Sequence, residues 1–330
     1  MRWNTLLAAG LIGGLTLIAT GASAAMTLRA GSVLPPTSDQ GEAAEYFAER
    51  VKALTNGEIE IEVFHSGELG PPPTQYENLI AGAQDFVIDT IDYLTAYDSR
   101  MGIVNTPSVF RDRDHFRAFL NSDVFADIAD DVEARGMVFI GDYGWMRQQD
   151  RGILSRTPIN SPEDLQGYKL RMFQSEIPIN AWSLMGANVQ VIPWADVYTA
   201  IATGAVDGLT TQVSSSYLSK QTELLKNFTR TGEYYQIVLP IMSARSWNRL
   251  SDEQKAAIEQ AAVETGEFFV TRSKEKDLAD TKAAVDAHGL VIIESPKEVW
   301  LEAAEAIHRK LEERGLLPAG LVEQAQAIGQ

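Results

Sequence analysis

The sequence predicts an α/β fold built from two doubly wound units, and three features carry that expectation. Short apolar runs alternate with helical periodicity over residues 28–91. The same alternation returns over 137–211. A helical run without proline then extends from Ser251 to about Ala287, long enough to reach across both units.

In chain order, a strand over 28–33 ends at Pro35 and Pro36. Residues 40–55 put Ala43, Ala44, Phe47, Val51 and Leu54 on one helical stripe, and Asn56-Gly57 stops it. Ile59, Ile61 and Val63 alternate with acids as a half-buried strand. A proline run at 71–73 leads into a helix through Tyr76, Leu79 and Ile80, and 85–91 returns as a strand. Residues 137–143 and 151–154 read as strands, after which Ser161 opens a short helix as its N-cap, with Asp164 three residues on. The second unit continues as strand 168–172, helix 179–184, strand 189–192, helix 196–203 and strand edge 207–211. Residues 235–243 add a strand before Ser251, Asp252 and Glu253 cap the long helix, which only Gly266 interrupts. These elements divide into a first lobe over 26–147 and 237–276 and a second over 148–236 and 277–330. Hinges are expected near 143–148 and 236–238. Doubly wound sheets take ligands at the carboxyl ends of their strands.

The 330 residues carry 28 Lys and Arg against 45 Asp and Glu, a net charge of −17, with no cysteine. That length suits two cores of ordinary size. Such a charge argues against nucleic acid, whose counterions an anion cannot release, and against anionic lipid. It favours a soluble monomer. Without cysteine there are no disulfides, thiolate metal sites or cysteine nucleophiles. Residues 1–25 read as a cleavable signal peptide: Arg2, an apolar stretch over 6–19, then Ala22-Ser23-Ala24 as a small-x-small cleavage site. No cysteine at that point means no lipid anchor, so the expected location is the periplasm.

Catalytic chemistry leaves no trace. His65, His115, His288 and His308 are scattered, with no pair at ligand spacing, so no metal is expected. There is no G-x-S-x-G elbow, phosphate loop, dinucleotide fingerprint or H-E-x-x-H. The expectation is a binding protein that needs no cofactor and is not an enzyme.

The informative motifs are Phe64-His65-Ser66-Gly67-Glu68-Leu69-Gly70, Arg151, and Pro158 to Gly167 followed by Lys169-Leu170-Arg171. Gly186-Ala187, Pro193-Trp194-Ala195-Asp196-Val197-Tyr198 and Thr203 to Gly208 complete the set. Together and in this order they resemble the solute-binding proteins of tripartite ATP-independent periplasmic (TRAP) transporters, the C4-dicarboxylate-binding protein family. The resemblance implies a two-lobed periplasmic-binding-protein fold with a cleft between the lobes and a long lobe-spanning helix. It also implies a receptor that captures a small organic acid and passes it to the small and large membrane subunits of a gradient-driven permease.

By that resemblance Arg171 is the carboxylate anchor, a role that suits a planar guanidinium fork. Arg151 is a second ligand arginine, or else the partner of Asp150 or Glu163. Trp194 would pack on the ligand's apolar body, and Gln174 would add a polar contact. Thr210 and Thr211 stand where acid-binding relatives carry Glu-Asn or Glu-Thr, and Tyr217 could supply a hydroxyl. Asp89, followed by Tyr93, departs from the small neutral residues usual there. With Glu176 it keeps open an amine-bearing or neutral ligand such as an amino alcohol, amino acid or polyol. Asp89 could instead simply pair with Arg171 or Arg151. A ligand sensor serving a signalling receptor is a further alternative.

Overall fold

A computed structural model describes residues 25–329. The leader expected over 1–25 therefore lies, but for Ala25, outside the described residues.

The chain opens with β1 (Met26–Gly31), α1 (Asp39–Leu54), β2 (Ile59–Phe64), α2 (Pro72–Ala81) and β3 (Phe86–Thr90). Two short 3-10 segments follow, then α3 (Arg113–Leu120), α4 (Asp123–Glu133) and β4 (Met137–Phe139). Strand β4 is shorter than its apolar run suggests, because Gly141 turns the chain out of the sheet with φ at 94°. The second half begins with β5 (Gly152–Ser155), β6 (Lys169–Met172), α5 (Glu176–Leu184) and β7 (Asn188–Val191). It continues through α6 (Val197–Ala202), β8 (Gly208–Thr211), α7 (Val213–Leu218), β9 (Asn227–Arg230) and β10 (Val238–Ser243). After α8 (Ala244–Trp247) come α9 (Asp252–His288), β11 (Val291–Glu294), α10 (Lys297–Glu313) and α11 (Leu321–Ala327).

Two sheets result, in the orders β2-β1-β3-β10-β4 and β11-β9-β5-β8-β6-β7. In the first, β1 runs parallel to β2 and β3, whereas β10 inserts antiparallel between β3 and β4. Strand β10 thus returns, after five strands of the second sheet, to complete the first. In the second, β6 runs parallel to β7 and β8, and β5 antiparallel to β8 and β9. The chain passes between sheets after β4 and again after β9, and those two passages pair through an antiparallel bridge between Met146 and Ile237. The backbone N–H of Arg147 donates to Gln236 O at 2.9 Å and that of Val238 to Trp145 O at 3.0 Å, extending the ribbon.

Helix α9 runs 37 residues without a break and packs on α1 of the first lobe and α7 of the second. Ser251 caps it as the sequence predicts, and Gln254 completes a capping box: Ser251 Oγ accepts from Gln254 N, and Gln254 Oε1 from Ser251 N. Gly266 lies where a Cβ would come within 3.2 Å of the Trp145 ring, so the lone glycine serves close packing rather than a break. The Trp145 indole N–H donates to Ala262 O at 2.7 Å, fastening the first passage to α9. Around it, Phe47, Phe86 and Phe269 are fully buried. Helices α3 and α4, which the strand–helix alternation does not announce, bury Phe116, Phe119, Phe125, Ile128 and Val132 in the larger core.

Candidate ligand-binding cleft

The carboxyl ends of β3 and β6 face one another across the lobes, and between them lies a small cavity of about 70 Å³. Asp89, Tyr93, Arg151, Arg171, Trp194, Thr210 and Thr211, all expected from sequence, line it. Gln40, Asp92, Arg147, Gln212 and Gln236 line it as well, and sequence reasoning did not find them.

Helix α1 delivers the first-lobe polar groups. Ser38 caps it, its Oγ accepting from Gly41 N at 2.9 Å. Gly41 admits the Pro35–Pro36 loop so closely that a Cβ would fall 2.3 Å from Pro35 O. That approach sets Asp39 and Gln40 against the cleft floor. Arg147 Nη1 donates to Asp39 Oδ1 at 2.9 Å and Oδ2 at 3.2 Å, its Nη2 donates to Gln40 Oε1 at 2.9 Å, and all three residues are buried.

Arg151 is buried and paired, but with neither Asp150 nor Glu163. Its Nε donates to Glu233 at 2.6 Å and its Nη2 to Thr210 Oγ1 at 3.0 Å, with the guanidinium 4.6 Å from the Tyr234 ring centroid. Asp150 instead bonds Arg113 and lies near Arg230. Burial works against the Arg151 charge, yet Tyr234, Glu233 and Asp92 hold it above the ordinary arginine range. Gln212 donates to Gln236, and both Gln236 and Tyr234 donate to Asp92. The network leaves only the second Glu233 oxygen, Oε2, buried without a hydrogen-bond partner.

Arg171 is different. It is 3% exposed, its Nε donates to Ile192 O at 2.8 Å, and it lies 5.5 Å from the Trp194 ring centroid. Among the described residues it has no carboxylate partner. Burial, with the like charge of Arg151, pulls its guanidinium down to about 10. An unpaired buried guanidinium is costly, and a carboxylate presented in the cleft would relieve that cost.

Asp89 pairs with neither Arg171 nor Arg151. Its Oδ1 accepts from Thr90 N at 2.8 Å and Gln40 Nε2 at 3.4 Å, while Oδ2, also buried, has no partner. Burial pushes its carboxyl up to about 7, with Asp92 adding to the rise and Arg147 opposing it. The phenols of Tyr76 and Tyr93 complete its charged and titratable surroundings. The folded protein therefore holds the Asp89 proton that the unfolded chain releases near pH 4, so this residue's stabilising contribution falls as pH rises from about 4 to 7. Asp89→Asn, which does not titrate, should gain stability relative to the parent over that window. Urea unfolding at pH 4.5 and 8 should show a relative gain on the order of 3 kcal/mol. A constant difference across pH would contradict this placement.

Three expected residues lie elsewhere. Strand β6 ends at Met172 and the chain turns toward α5, so Gln174 before that helix and Glu176 at its start line a separate groove with Tyr76, Glu77, Tyr97 and Arg245. Tyr217 on α7 packs its ring 5.5 Å from that of His288. None of the three lines the cleft between β3 and β6.

Two lobes, a polar cleft at strand ends and a free guanidinium within it define a solute-binding receptor. Residues 30–314 match the family described as bacterial extracellular solute-binding protein, family 7, and the chain belongs to that family. It is a solute-binding protein of the TRAP type, a group that binds small molecules and works with membrane permease subunits. The 2,3-diketo-L-gulonate-binding periplasmic protein of Escherichia coli K12 is 26% identical over 289 residues, 86% of this chain and 87% of the relative. A TRAP periplasmic solute-binding protein from Sulfurospirillum deleyianum, solved with bound succinate, is 29% identical. It superposes with a TM-score of 0.84 over 92% of this chain and 98% of its own. One from Roseobacter denitrificans with bound β-D-glucuronate is 25% identical, with a TM-score of 0.84 over 92% and 100%. Among the described residues no helix is long and apolar enough to cross a membrane.

Proposed function

We propose that this protein is a monomeric periplasmic receptor that closes its lobes on a small organic acid and presents it to a TRAP permease, without chemical turnover. The observation that carries the reading is Arg171, the buried cleft guanidinium without a carboxylate of its own. The succinate and glucuronate held by the two structural relatives support an acid as the ligand. Ligand shifts the lobes only by binding the closed form more tightly than the open one. Arg171 on β6 and Asp89 on β3 stand on opposite sides of the closing cleft, so a ligand touching both has that preference. Arg151, Thr210 and Thr211 form the wall around the anchor, and Trp194 covers the ligand's apolar face.

A thermal-shift panel of monocarboxylates, dicarboxylates, sugar acids, amino acids, amino alcohols and polyols tests this. Carboxylates should raise the melting temperature, with about 2.7 kcal/mol of stabilisation at a hundredfold excess over Kd. Stabilisation by amino alcohols or polyols alone would move the anchor to Asp89 and sink the reading.

A further inference from the structure

We infer that the cleft selects hydroxylated monocarboxylates over dicarboxylates, with the free Asp89 oxygen accepting a hydrogen bond from a ligand hydroxyl. This rests on the organic-acid reading above and specifies it. The charges of the cavity wall carry the argument. Of three guanidinium groups, Arg147 is tied to Asp39 and Arg151 to Glu233. Arg171 alone is left for an anion, so one ligand carboxylate is matched and a second finds no cation.

The opposite wall is not neutral either. Asp89 Oδ2 is buried and unpartnered, whereas the Asp92 carboxylate already accepts from Tyr234 and Gln236. A buried oxygen left in this state costs free energy unless something donates to it. A hydroxyl donates whether Asp89 is ionised or not. A second carboxylate donates nothing and, once Asp89 is ionised, meets a group of its own sign. Asp89, Tyr93 and Arg171 line one cavity, which puts the two free groups within the span of one small ligand. They stand on different lobes, so a molecule with a carboxylate at one end and a hydroxyl at the other ties the lobes together. The family scaffold accommodates both kinds of ligand, since one relative holds succinate and another glucuronate. In this chain the residue at position 89 decides between them.

Titration calorimetry of the purified protein with D-gluconate, D-glucuronate, succinate and L-serine provides the test. The sugar acids should bind, and succinate at least about 100-fold more weakly. Asp89→Asn should weaken gluconate about 10- to 100-fold, as expected for loss of a hydrogen bond to a charged group, while strengthening succinate. Circular dichroism of the variant, and its retained binding of one acid, separate this from misfolding. Should the variant not fold, the parent's ranking of gluconate over succinate decides alone. Succinate binding as tightly as the sugar acids would overturn the inference and leave the organic-acid reading standing. An unchanged preference in the variant would do the same, and L-serine binding alone would assign the Asp89 oxygen to an ammonium instead. If no carboxylate binds, both readings fall.

Discussion

Replacing Arg171 with alanine should weaken binding of an acid ligand by a factor of at least about 100. Truncating one partner of a buried, hydrogen-bonded charge pair costs about 2–5 kcal/mol, and the middle of that range corresponds to a few hundredfold in Kd. The unliganded protein should behave in the opposite sense. Arg171 is buried without a counter-charge and its guanidinium is pulled down to about 10, so its removal relieves a penalty. The alanine variant should therefore melt no lower than the parent while losing the rise in melting temperature that ligand brings. Arg171→Lys should fall between, since an ammonium keeps the charge but lacks the fork. Calorimetry and thermal melts on the same preparations distinguish these outcomes. An alanine variant that binds within threefold of the parent would remove Arg171 from the site.

The second large effect concerns stability rather than affinity. Asp39 and Arg147 are 3% and 2% exposed at their side chains, and the pair fixes α1 to the ribbon between the lobes. Asp39→Ala leaves the Arg147 guanidinium buried against Phe269, with Gln40 as its hydrogen-bond partner. Breaking a buried pair from one side costs about 3–5 kcal/mol, which urea unfolding should register as a lowered midpoint. Replacing both partners together, as Asp39→Leu with Arg147→Met, should recover much of that loss, because no uncompensated charge remains. If the single variant loses less than about 1 kcal/mol, the pair is not what holds α1 in place.

How much of this was legible in the sequence follows from what periodicity can encode. The stripe of Ala43, Ala44, Phe47 and Val51 gives α1, and a proline-free run behind the Ser251 cap gives α9. Helices α3 and α4 had comparable signals in Asp112 and Ser122, whose side chains accept from His115 N and Phe125 N. They stand in succession with no strand between them, outside the alternation of strand and helix. In the cleft, Arg171, Arg151 and Trp194 stand in local motifs, which is why they could be placed. Gln40, Arg147, Glu233 and Gln236 owe their positions to partners far along the chain: Arg147 to Asp39, Glu233 to Arg151, Gln236 to Asp92. No local pattern records such pairings. Gln174 and Glu176 were misplaced by extending the strand direction past Met172, where the backbone turns into α5.

Strand β10 sits between β3 and β4 although residues 140–237 separate it from β4 and five of the six strands of the second sheet lie within that interval. Five strands of the second sheet, by contrast, come from the single stretch 152–230. Pairings between distant segments must meet the entropy of closing a long loop before any contact rewards them, and they form slowly. The two halves of the molecule therefore mature at different times. All but the edge strand β11 of the later sheet can be assembled from one continuous piece of chain, while in the sheet that begins first β3 and β4 stay unjoined until residue 243 has arrived.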